Sequence, residues 1–98
     1  MPTSLPLDTE TLRRVMGFRE QMGRRIRERR LALGLSQESL AAAAGWGRHH
    51  LSRVELGQVS TAAERLITMA EALGCSIHEL VPDLPDLEER TESDSESS

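Results

Sequence analysis

Between Ser36 and Gly57 the chain reads SQESLAAAAGWGRHHLSRVELG, and few arrangements accommodate that order. Ser36 is a strong helix N-cap, because its hydroxyl accepts a bond from an open backbone N–H of the first turn. Leu40 and Ala44 then fall on one face, four residues apart. Gly45 supplies the backbone freedom of a sharp turn. A second helix follows from about Gly47, with Leu51 and Val54 facing inward. Arg48, His49, Ser52 and Arg53 are left on its outer face. The rest of the chain is built to hold this pair of short helices.

The flanks supply three more helices. Phe18, Met22, Ile26 and Leu33 lie near one face of a helix predicted from 18 to 33, which Gly34 ends in left-handed geometry. Upstream, Asp8 or Thr9 caps either a short separate helix through Met16 or one that runs on, with Gly17 as its weak point. Downstream, Thr61 and Glu64 read as a capping box for TAAERLITMAEALG, whose Leu66, Met69, Ala70 and Leu73 form the apolar stripe. Cys75 reads as a small buried hydrophobe. Ser76 and Glu79 make another capping box and open a last helix from Ile77 to Val81. Pro82 and Pro85 stop regular structure.

This predicts an all-α fold of five helices in one domain: an N-terminal arm over 1–17, a helical domain over 18–82 and an acidic tail over 83–98. The tail holds seven acids and one Arg, and its Ser-rich sequence has no apolar period after Leu87, so it is expected to be disordered. Residues 13–53 show the opposite balance, ten Arg against three Glu. Every basic residue in the chain is Arg, which forks onto phosphate and guanine edges better than Lys does. A GC-rich coding bias explains that usage equally well; the local positive charge stands under either explanation. A single Cys and the lack of a long apolar run or signal-peptide core fit a reducing cytoplasm.

From Ile26 to Val81 the chain resembles the Xre-type, lambda-repressor-like helix-turn-helix domain of phage repressors and bacterial regulators. The matching pieces are IRERR (26–30), GLSQESLA (34–41), Gly45, LSRVELG (51–57), MAEALG (69–74) and SIHELV (76–81), in order and at the family's spacing. The resemblance implies a double-stranded DNA operator as partner and a homodimeric, repressor-like regulator, bacterial or phage-encoded. Arg48, His49, Ser52 and Arg53 match its base-reading positions. Ser36 and Gln37 at the helix start, and His50 at the flank, are expected at the DNA backbone. Arg30 and Glu55 match a structural ion pair of the phage repressors.

The chain departs from that pattern at the turn. Trp46 stands where a small aliphatic is usual, so its ring either caps the core beside Leu40 and Leu51 or lies against the sugar-phosphate rim. Gly47 replaces a side-chain cap, and Thr61 stands where Pro is common.

Two other readings compete. An antitoxin-like regulator would also neutralise a partner protein through its tail, with Leu84 and Leu87 as anchors. A pure interaction module would bind no DNA in a salt-dependent way. The tail is either a solubilising segment or one that folds over the Arg face and competes with phosphate. No enzyme, cofactor or metal site is expected: the chain lacks a glycine-rich phosphate loop, metal-ligand spacing and a nucleophile–base grouping.

Overall fold

The computed structural model describes residues 8–83, which form five α-helices and no strand. They are α1 (Thr9–Ala32), α2 (Gln37–Ala44), α3 (Arg48–Glu55), α4 (Ala63–Leu73) and α5 (Ile77–Leu80). The expectations placed on 1–7 and 84–98 lie outside the described residues.

The Asp8 carboxylate caps α1 by accepting from the Thr11 N–H at 2.7 Å. That hydrogen bond, above all, holds the Asp8 pKa below its ordinary value. The helix runs through Gly17 without interruption and ends at Leu33 and Gly34, the latter at φ 72°. Met22 and Ile26 are fully buried, with Phe18 packed at their edge. Leu33 does not join them, contrary to the helical period. It lies past the last turn and is 52% exposed, and Leu35, beyond the turn at Gly34, packs against the core instead.

Gly23 lies where α1 meets the end of α3. A Cβ there would stand 2.1 Å from the Val54 carbonyl oxygen and 2.9 Å from that of Glu55. Only a hydrogen at this position lets the two backbones approach so closely.

The core joins Leu40, Ala41 and Ala44 of α2 to Leu51 and Val54 of α3, and Leu66, Met69, Ala70 and Leu73 of α4 to Leu80 of α5. The start of α4 corrects the sequence reading. The helix opens at Ala63 with Ala62 as its N-cap and no side-chain cap bond. The predicted Thr61–Glu64 box does not form, because Thr61 stands before the cap and its hydroxyl engages His50. Ser76 and Glu79 do form their box at α5. Cys75 is half-buried against the core rather than fully enclosed.

Two α1 arginines fasten α5. Arg29 pairs with the Glu79 carboxylate, and Arg25 Nη1 donates to the Val81 carbonyl at 3.2 Å. The Arg29–Glu79 pair is exposed, so it ties α5 to α1 across the surface rather than within the core.

Candidate nucleic-acid interface

The site is built on α3. Ser36 Oγ accepts from Ser39 N at 3.0 Å and starts α2, and Gly45, at φ 73°, turns the chain towards α3. Leu51 and Val54 are wholly buried, which fixes how α3 can rotate. The opposite arc is then forced outward. Arg48, His49 and Arg53 are exposed and Ser52 is half-buried. Residues 48 and 52, and 49 and 53, are each one turn apart, so the four form a single patch. Among the described residues none of the four side chains has a hydrogen bond or ion pair. Three long cationic or imidazole side chains therefore stand ready for an outside acceptor.

The inner side of α3 is held by charge as well as by packing. Arg30 Nε donates to Glu55 Oε2 at 2.7 Å, and its Nη2 donates to Oε1 at 3.0 Å. Its Nη1 reaches the Leu35 carbonyl at 2.9 Å. The two residues are each 8% exposed. The Glu55 bond raises the Arg30 pKa above its ordinary value, so the guanidinium stays charged. Gln37 Nε2 also donates to Glu55 Oε1, at 3.0 Å. One carboxylate thus gathers α1, the first turn of α2 and the end of α3.

Trp46 settles the question its size raised. It is 5% exposed and belongs to the core with Leu40 and Leu51, so it does not line the sugar-phosphate rim. Its indole N–H donates to the Arg65 carbonyl at 3.3 Å. The His50 ring lies 5.0 Å from it at a 53° tilt, with Nε2 3.0 Å from Thr61 Oγ1. Burial lowers the His50 pKa, and Arg65 and Arg53 lower it further. His50 therefore braces α3 against the loop before α4, with a ring that resists protonation.

All three residues expected at the DNA backbone are engaged within the domain. Ser36 caps α2, Gln37 holds Glu55 and His50 holds Thr61. Sequence reasoning missed the last two bonds because they join segments 18 and 11 residues apart. It also missed Gly23, whose only signal was a glycine between Met22 and Arg24 on the buried face of a helix.

A short helix with an outward cationic patch, fixed to a brace helix by a left-handed turn, defines a helix-turn-helix DNA-binding domain. Comparison with known proteins agrees: the helix-turn-helix family model (HTH_3) matches residues 26–80, and the chain belongs to this Xre, lambda-repressor-like family. The chain is 37% identical over 84 residues to an uncharacterised transcriptional regulator in the ATPase CF(0) region of Rhodospirillum rubrum, covering 86% of this chain and 72% of that protein. It is 39% identical to the restriction-modification controller protein C.AhdI from Aeromonas hydrophila, with a TM-score of 0.62 over 63% of this chain and 94% of that one. It is 29% identical to the hypothetical transcription factor NHTF from Neisseria, with a TM-score of 0.65 over 90% and 94% of the two chains.

The chain is thus a transcriptional regulator with a helix-turn-helix DNA-binding domain, a class without enzymatic activity. No helix among the described residues is long and apolar enough to cross a membrane.

Proposed function

We propose that the protein is a homodimeric, repressor-like regulator that binds a double-stranded operator. In this reading two copies of α3 enter the major groove about 34–36 Å apart, one helical turn of DNA. The observation that carries the proposal is the single outward arc of Arg48, His49, Ser52 and Arg53 opposite the buried Leu51 and Val54.

The chemistry follows from the side chains. Arg48 and Arg53 each present a fork that matches guanine O6 and N7, worth about 1–3 kcal/mol of discrimination apiece. His49 donates to guanine or phosphate, and Ser52 accepts or donates at a base edge. Gln37 uses one amide hydrogen on Glu55 and offers the other to a phosphate. Ser36 holds the α2 N-terminus, whose open N–H groups favour an anion. His50 keeps the flank of α3 in place beside the backbone. The likeness to a restriction-modification controller, over 94% of that chain, supports a transcriptional role.

Selection of bound sequences from a random duplex pool tests the assignment. Arg48→Ala and Arg53→Ala should each relax preference at one base position per half-site. Base preferences that ignore both substitutions overturn it.

A further inference from the structure

The inward face of α1 is longer than the bundle it serves. Asp8, Leu12, Val15, Arg19, Met22 and Ile26 recur at alternating steps of four and three, the spacing of a helix–helix seam. Met22 and Ile26, at the far end, are buried in the core at 1% and 0% exposure. Leu12, on the same seam, is 44% exposed, and Met16 beside it is 49% exposed. Among the described residues the Arg19 side chain has no hydrogen bond or ion pair, and its Nε is buried without an acceptor.

We propose that this overhanging seam is the surface on which two copies of the chain pair. The inference rests on the dimer reading above and assigns it an interface. The occupant follows from the order of the four outer positions: acid, apolar, apolar, base. Laid antiparallel on a second copy, Asp8 meets the partner's Arg19 and Leu12 meets the partner's Val15, and the two-fold axis repeats both contacts. A parallel mate would instead set Asp8 on Asp8 and Arg19 on Arg19.

The lengths also agree. Asp8 to Arg19 spans about 16 Å of helix. The body of the bundle closes on α1 from about Phe18, which packs at the edge of the core, and a Cβ on Gly57 would stand 3.0 Å from Glu20 Cγ. Each copy's overhang therefore ends where the other's bundle begins. The ion pairs set register and direction more than affinity, and the apolar pairs supply the attraction. About three turns of helix form an interface below the usual ~1,200 Å². Free in solution the dimer is accordingly weak, and it tightens when an operator holds two copies side by side.

Sedimentation equilibrium of the full chain over a concentration series, with gel shifts on single and paired half-sites, tests this. Leu12→Glu should weaken self-association by about tenfold or more, as should Arg19→Glu, whereas Arg13→Glu, on the outer face of the same helix, should not. All three should bind a single half-site as wild type does, which shows that the fold and the DNA site are intact. If Leu12→Glu and Arg19→Glu dimerise like wild type, the seam is refuted while the dimer reading stands. If wild type stays monomeric at every concentration and binds paired half-sites without cooperativity, both fall.

Discussion

Arg30 and Glu55 share two hydrogen bonds, of 2.7 and 3.0 Å, across the contact between α1 and α3. The Glu55 side chain is only 2% exposed, so its charge has almost no access to water. Removing one partner leaves the other buried and unpaired. Arg30→Met alone should therefore cost about 3–5 kcal/mol in urea unfolding, and Arg30→Met with Glu55→Leu should recover most of that loss. A single substitution costing under about 1 kcal/mol, the range of an exposed pair, would contradict the buried geometry.

Gly23 and Gly17 make an internal contrast on one helix. Ala favours a helix interior over Gly by about 1 kcal/mol. At Gly17 a Cβ meets nothing within 4 Å, so Gly17→Ala should raise the melting temperature. At Gly23 it meets backbone oxygen at 2.1 Å, which cannot swing aside as a side-chain end would. Gly23→Ala should lower stability by about 1–3 kcal/mol, the cost of overpacking. Calorimetry of the two variants should give shifts of opposite sign.

His50 sets a pH dependence. Its pKa is lower in the fold than the ordinary 6.5, so between the two values the unfolded chain binds the extra proton. Stability is fully present above about pH 6.5 and falls as the pH drops through the lowered value. Trp46, the one Trp in the chain, lies 5.0 Å from the ring and reports the event. Its fluorescence should change with a midpoint below 6.5 in the native protein. The step should vanish in His50→Gln.

Gln37 joins the Glu55 carboxylate at 3.0 Å from the first turn of α2. Gln37→Ala should weaken binding to all duplexes about equally, since a phosphate contact carries no base information. It should also lower stability by about 1.5–3 kcal/mol, the worth of a hydrogen bond to a charged group. Parallel binding curves on specific and scrambled duplexes, with urea melts, separate the two effects. A loss confined to the specific duplex would reassign Gln37 to base reading.

Much of the α2–α3 unit was legible because its determinants are local. Ser36, Gly45, Leu51 and Val54 lie within a few residues of what they control, and helical spacing alone puts Arg48, His49, Ser52 and Arg53 on one arc. The failures have a common cause. Leu33 keeps the helical period but falls past the helix end, and Thr61 reads as a cap until His50 is seen to hold it. Trp46 stayed open because its volume fits either side of the turn, and only packing against Leu40 and Leu51 decides. Gly23 needed knowledge of which backbone crosses it.

The outward patch on α3 carries guanidinium groups and no ammonium, and the sequence contains no Lys at all. Enzymes that acetylate lysine, and so cancel its charge, find no side-chain amine to modify here. The positive field of this surface is permanent through the physiological range. Control of such a regulator must then act by some route other than cancelling an ammonium charge.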